Sequence, residues 1–186
     1  VYKNMDDDPA ITAADKTIIG DPNPDFLVNL TTAVSYKGFT LSAFFQSSIG
    51  NDIYSLSMAA QAYDYGYNGN TLREVYYNHW TPENPTAKYP NLDQTSYKMS
   101  DRFVYDGSFV RLKNLELAYD VPCARNKFIK RARVYVSAQN LFTITSYPFW
   151  DPDINANGGG SSMIQGVDSY CYPSARTYTI GCRLTF

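Results

Sequence analysis

The chain has 186 residues, with 16 Lys and Arg against 18 Asp and Glu, and a formal net charge of -2. That balance leaves no broad basic surface for nucleic acid. No stretch approaches the roughly 20 apolar residues of a spanning helix, which excludes helical membrane insertion and leaves barrels open. Aromatic residues make up 16% of the chain, with 17 Tyr and 10 Phe, yet mean hydropathy is -0.36. A hydrophilic chain this rich in aromatics fits a secreted β-sandwich or a membrane barrel, whose strands turn one face to lipid and the other to a polar lumen.

The first residues, Val1-Tyr2-Lys3-Asn4, carry no signal peptide. In the acidic stretch that follows, Asn4, Asp6, Asp8 and Asp15 fall on ligand positions of an EF-hand-like loop, with Ile11 at its apolar position. Hard oxygen donors at alternate positions suit a structural calcium ion. Pro9 stands where the sharp turn wants Gly, however, and Asp15 is shorter than the usual bidentate Glu. A solvated acidic turn is the alternative.

Period-two alternation then marks five strands. Phe26, Val28, Leu30, Val34 and Tyr36 share one parity against Leu27, Asn29, Thr31, Ala33 and Ser35. Lys37-Gly38 is a tight turn, with Gly free to take a positive φ. Phe39, Leu41, Ala43 and Phe45 complete a hairpin against Thr40, Ser42, Phe44 and Gln46. A long connection of about 49–107 follows, rich in Tyr, Asn, Gly and Pro. Ile53 to Ala60 and Leu72 to Tyr77 lack breakers and predict local helix within it. The third strand covers about 108–121. Its parity switches between Val110/Leu112 and Leu115/Leu117/Tyr119, so a β-bulge near Lys113-Asn114 is expected to restore one apolar face. The fourth, about 132–145, sets Val134, Val136 and Ala138 against Tyr135, Ser137 and Gln139. After a second long loop, 146–174, the fifth sets Tyr178, Ile180, Cys182, Leu184 and Phe186 against Thr177, Thr179, Arg183 and Thr185. Short turns at one end of the strands and long loops at the other characterise outer-membrane barrels. No internal repeat is present.

The most specific short signal is the ending Thr179-Ile180-Gly181-Cys182-Arg183-Leu184-Thr185-Phe186. Gly181, Leu184 and the terminal aromatic Phe186 match the pattern by which barrels are recognised for insertion, an edge strand offering its backbone for pairing. Cys123, Cys171 and Cys182 have no metal-like spacing and are odd in number, which points to free thiols or one incidental disulfide. His79 lies among Tyr76, Tyr77 and Trp80, as a packed or solvated loop histidine would.

Six ordered blocks resemble one family. They are Ile18-Ile19-Gly20-Asp21-Pro22-Asn23-Pro24-Asp25-Phe26, Trp80-Thr81-Pro82-Glu83-Asn84-Pro85, Asp106 to Leu115, Val134 to Phe142, Asp151-Pro152-Asp153 and Tyr172 to Tyr178. The chain resembles the C-terminal portion of the barrel of SusC/RagA-type TonB-dependent outer-membrane transporters. That resemblance implies an all-β fold, about the last five antiparallel strands of a 22-stranded transmembrane barrel. The plug and the other strands lie outside these residues. With Phe186 periplasmic, residues 1–25 form an extracellular loop segment, and 26–186 hold the barrel strands with extracellular loops 49–107 and 146–174.

The implied activity is import of oligosaccharides or peptides, with no chemistry on the cargo and no required cofactor. The implied partners are the rest of the barrel and plug, a SusD-like surface lipoprotein, the TonB complex, the barrel-assembly machinery and outer-membrane lipid. The loop aromatics Tyr63, Tyr65, Tyr67, Trp80, Tyr147 and Trp150 are candidate cargo contacts, since amphipathic rings stack on sugars or peptides. Packing among loops or an aromatic girdle are the alternatives. Asp151 and Asp153 are read as turn residues, with no positioned partner evident. The competing function is a secreted carbohydrate-binding β-sandwich. A glycoside hydrolase ranks last, since no carboxylate pair is singled out by burial or spacing.

Overall fold

The computed structural model describes residues 3–5, 8–62, 70–92, 99–123, 128–154 and 165–186. In chain order its strands are β1 (Phe26–Tyr36), β2 (Phe39–Ile49), β3 (Asp52–Ser55), β4 (Val104–Asp106), β5 (Phe109–Val121), β6 (Arg131–Thr145), β7 (Val167–Asp168) and β8 (Thr177–Thr185). Two helices, α1 (Leu56–Ala62) and α2 (Arg73–Tyr77), follow β3. The chain divides into two compact units. One comprises 24–51, 107–153 and 172–186; the other comprises 1–23, 52–106 and 154–171.

The first unit is an antiparallel sheet in the order β1-β2-β5-β6-β8. These are the five strands expected from alternation. The β1–β2 turn places both Lys37 (φ 48) and Gly38 (φ 86) in the left-handed region, the primed geometry that matches the twist of a two-residue hairpin. The Gly38 carbonyl then accepts from the Asp120 amide at 2.9 Å, tying the turn to β5.

Register decides what each face is made of. Leu30 pairs with Phe45, Val34 with Leu41 and Tyr36 with Phe39. Leu41 continues to Leu117, Leu117 to Val136, and Val136 to Ile180. One face is therefore a continuous apolar sheet, interrupted by little more than Thr32 and Ser47, and most of its large side chains are exposed. The opposite face carries Asn29, Thr31, Gln46, Asn114, Glu116, Ser137, Gln139 and Thr179.

The bulge expected at Lys113-Asn114 is present. Both ladders of β5 shift there, with Phe45 opposite Leu112 and Phe44 opposite Asn114 on one side. On the other, Leu112 faces Phe142 and Asn114 faces Gln139. The single extra residue in β5 flips its parity, so Val110 and Leu112 rejoin the apolar face. In β6 the displaced residues are Asn140 and Leu141. Asn140 adopts φ 51, a conformation Asn tolerates better than most residues, and its side-chain amide donates to the Ala175 carbonyl at 2.9 Å.

An 11-residue strand such as β1 is about 34 Å long at roughly 3.4 Å per residue. Tilted by about 40°, it spans about 26 Å, close to the height of the apolar band of a membrane barrel.

The second unit is built from the connections. β3 pairs antiparallel with β4 and parallel with β7, giving a three-stranded sheet in the order β4-β3-β7. Its core is Ile53, Tyr54, Met58, Ala59, Ala62, Val75, Tyr89 and Phe103. The helix expected over 53–60 is half strand: Ile53 to Ser55 are held in β3 by pairing with 104–106 and 167–168, and α1 begins at Leu56. The Asp21 segment is tied to β3, since the Asp52 amide donates to the Asp21 carbonyl at 2.7 Å and the Asp21 amide returns to the Asp52 carboxylate at 3.0 Å. Tyr54 N–H donates to the Gly166 carbonyl at 2.7 Å. Gly166 has φ 69, and a Cβ there would lie 2.4 Å from that of Pro22, so only glycine lets the two backbones approach.

Leu30→Arg, at mid-height of the apolar face, is expected to cost about 2–4 kcal/mol of folding free energy in bilayers, against about 0.5 kcal/mol or less for Thr31→Arg beside it. Denaturant titration in lipid checks this; equal costs at the two positions would refute the face assignment.

Candidate functional site

Among the described residues, the most buried ionic cluster of the polar face lies at the end of the sheet from which the long connections leave. It is centred on Arg111, near the start of β5 and 1% exposed. Its Nε donates to Thr143 Oγ1 on β6 at 2.9 Å. One terminal nitrogen donates to Ser174 Oγ at 3.3 Å and to Asp153 Oδ2 at 3.4 Å. The other pairs with Asp151 Oδ1. Lys113 Nζ, brought to the same side by the bulge, lies 3.7 Å from Asp153. Two cations thus meet two carboxylates, as a buried charge requires if it is to remain ionised.

Asp151 is the most heavily used member. Its Oδ1 accepts the Asp153 amide at 2.9 Å besides Arg111, and its Oδ2 accepts the Ser174 amide at 2.9 Å. Burial pushes its carboxyl up, but the Ser174 and Asp153 amides and the Arg111 guanidinium outweigh that and hold it below the usual carboxylate range. Asp151 and Asp153 are therefore more than turn residues. Their partner lies some forty positions upstream in β5, where alternation alone marks Arg111 as one more polar-face residue.

The remaining candidates are dispersed. Tyr63, Tyr65 and Tyr67 lie outside the described residues, as does Asp6. Trp80 is 41% exposed and sits on a small turn, its amide donating to the Tyr89 carbonyl at 2.9 Å. Beside α2, Tyr76 and Tyr77 are exposed and stand edge to face at 5.3 Å, with the Arg73 guanidinium over the Tyr77 ring. His79 is hydrogen-bonded to the Tyr76 carbonyl at 2.5 Å. Trp150 is 69% exposed, whereas Tyr147 is 4% exposed and packs against Phe149 at 5.4 Å. The Tyr147 ring is thus buried within the loop stem, in contrast to the open Trp150 ring.

In the acidic stretch, both Asp15 oxygens accept backbone donors, from Met5 and Thr12, each at 2.7 Å. Thr12 and Asp15 form a reciprocal capping box over a short 3-10 turn, Ala13–Asp15. Asn4 donates its amide to the Asp8 carbonyl at 2.5 Å. A calcium ion would compete with these bonds for Asp15. Among the described residues, no group of three or more His, Cys, Asp or Glu has metal-binding geometry.

The terminal strand gives Gly181 a packing reason. Gly181 pairs with Tyr135 across β6–β8, and a Cβ at this position would lie 2.5 Å from Cζ and Oη of the Tyr135 ring. The ring covers the glycine on the polar face, a known device for stabilising a glycine within a sheet. Leu184 and Phe186 are exposed, Leu184 on the apolar face.

No protein-family model matches the chain. Among curated proteins, TonB-dependent receptor P3 of Formosa agariphila is 35% identical over 100% of the chain, which spans 19% of that protein. TonB-dependent receptor SusC of Bacteroides thetaiotaomicron is 29% identical over 95% of the chain and 16% of its own length. Among solved structures, the RagAB peptide transporter superposes with a TM-score of 0.77 at 28% identity, covering 95% of this chain and 19% of that one. The chain belongs to the SusC/RagA type of TonB-dependent receptor. It spans about a fifth of the length of the first of these relatives, and its five-stranded sheet is a portion of the barrel wall. SusC/RagA-type receptors are outer-membrane proteins that act in nutrient import. The apolar face of the sheet is thereby its lipid face, and the Arg111 cluster lies on the lumen side.

Two outcomes follow from the geometry. Because Asp151 titrates below its unfolded value, its stabilisation is complete above the ordinary carboxylate range, near pH 4, and is lost as pH falls through the lower folded value. Hydrogen exchange at residues 146–153 and 172–176 should thus accelerate in acid, and Asp151→Asn should abolish that dependence. Gly181→Ala should cost about 1–3 kcal/mol by forcing the Tyr135 ring aside. Adding Tyr135→Ala should recover most of the loss in a double-mutant cycle read by thermal unfolding in detergent.

Proposed function

We propose that this chain forms wall and outer loops of a TonB-dependent importer of oligosaccharides or peptides, working with a SusD-like surface lipoprotein and doing no chemistry on its cargo. The observation that carries the reading is the sheet itself. Five long antiparallel strands present one exposed apolar face and one polar face, and the bulge in β5 keeps both faces continuous. A soluble sandwich would need a second sheet over the apolar face, whereas lipid covers it directly. Both outer edges, of β1 and β8, have no partner strand among the described residues. Their backbone groups would be unsatisfied in a bilayer unless further strands complete a barrel.

In this reading Phe186 is periplasmic, and the unit built on β3, β4 and β7 is extracellular. Barrel-assembly machinery recognises β8 through Gly181, Leu184 and Phe186. The plug and the segment that engages TonB lie in the parts of the receptor outside these residues. The similarity to a structure described as a peptide transporter favours peptide over glycan, and the exposed rings of Trp80 and Trp150 suit either.

Energised uptake separates the possibilities. Cells carrying the whole receptor should accumulate labelled oligosaccharide or labelled peptide in a TonB-dependent manner. Trp80→Ala or Trp150→Ala should weaken cargo binding by about tenfold if either ring stacks on it. A chain that is monomeric, cooperatively folded and soluble without detergent would overturn the transporter reading in favour of a secreted sandwich.

A further inference from the structure

The Arg111 cluster does more than neutralise buried charge. Of its partners, Asp151 and Asp153 lie on the outgoing stem of the β6–β8 connection and Ser174 on the returning stem. Asp151 also bonds the returning stem directly, through the Ser174 amide. The Asn140 amide, at the β6 bulge, holds the same stem at Ala175. The connection therefore leaves and re-enters the sheet through one hydrogen-bonded knot. The knot is fastened to the wall at β5 by Arg111 and at β6 by Thr143 and Asn140.

Only a guanidinium can make this knot. Its planar fork supplies donors in three directions at once, toward Thr143, toward Ser174 with Asp153, and toward Asp151. An ammonium at the same place carries the charge without the fork. Lys113 shows the contrast, since it is more exposed and reaches Asp153 alone at 3.7 Å.

We propose that Arg111 is a positioning residue for import: it clamps both stems of the 146–176 connection, residues 146–153 and 172–176, to the lumen side of the wall, and import depends on those stems being held. This rests on the importer reading and adds to it a residue that touches no cargo. Removing the fork frees the stems while leaving the ladders of β5 and β6, which are backbone bonds, in place.

The test uses the whole receptor in detergent and in cells. Arg111→Gln is expected to assemble as a heat-modifiable barrel, with hydrogen exchange at 146–153 and 172–176 faster by about a hundredfold and exchange in β1 and β2 unchanged. Energised uptake should fall about tenfold or more, with Arg111→Lys intermediate. In a background with Cys123, Cys171 and Cys182 replaced by Ala, Asp151→Cys with Ser174→Cys should restore uptake to Arg111→Gln when oxidised and lose it on reduction, because the disulfide joins the stems in place of the clamp. Stems that exchange at the wild-type rate in Arg111→Gln would overturn the proposal, as would oxidised stems that restore no uptake. Should Arg111→Gln fail to assemble, Asp153→Asn, which keeps the Asp151 bond, carries the same comparison with a smaller expected effect. Uptake that is TonB-independent in the unsubstituted receptor would instead count against the importer reading itself.

Discussion

Backbone hydrogen bonding in an apolar medium is the constraint on which this structure depends. A strand whose side chains face lipid cannot give its N–H and C=O groups to water, so each must bond to a neighbouring strand. The long ladders β1-β2-β5-β6-β8, interrupted only at the bulge of β5 and β6, are the consequence. Once pairing is obligatory, register becomes the variable that matters, because a slip of one residue would exchange lipid and lumen faces along a whole strand. The β5 bulge shows the rule at work. The sequence from Val110 to Tyr119 does not keep parity, and one unpaired residue at Lys113 repairs it.

The same bulge ties the wall to its loops. It brings Lys113 to the side of Arg111 and, by displacing Asn140 and Leu141 in β6, frees the Asn140 amide to hold Ala175. Membrane barrels place irregular backbone at their rims, beyond the depth where every group must pair within the sheet. Here that freedom is used to receive a returning chain segment. Arg111 is buried at this rim under the carboxylates of the stem it holds. The cost of burying its charge is offset by two acids and by neutral donors and acceptors around them.

The long connections spend their residues differently from ordinary loops. A loop of some fifty residues with no structure of its own would be hard to hold. This one folds around Ile53, Met58, Val75 and Phe103, with strands contributed by three distant segments. Close backbone approaches make that possible, Gly166 against Pro22 being the tightest. The aromatic residues of α2 and its flank remain outside that core. Tyr76 and Tyr77 stay exposed because the helix buries Val75 and has only five residues with which to bury anything.

Alternation in the sequence was enough to find all five wall strands, the hairpin turn at Lys37-Gly38, the bulge and both faces. Each of these is decided by neighbours one or two positions away, and period two is visible over such distances. The six ordered blocks placed the chain in its family for a related reason, since they sit at turns, bulges and stems where backbone geometry restricts residue choice. Tertiary structure alone decided the rest. The Arg111 knot joins residues forty and sixty positions apart, the β3 sheet joins three segments of the loops, and Tyr147 is buried by its own stem. No local pattern records which charge will meet which, because that depends on where the folded wall brings its loop stems together.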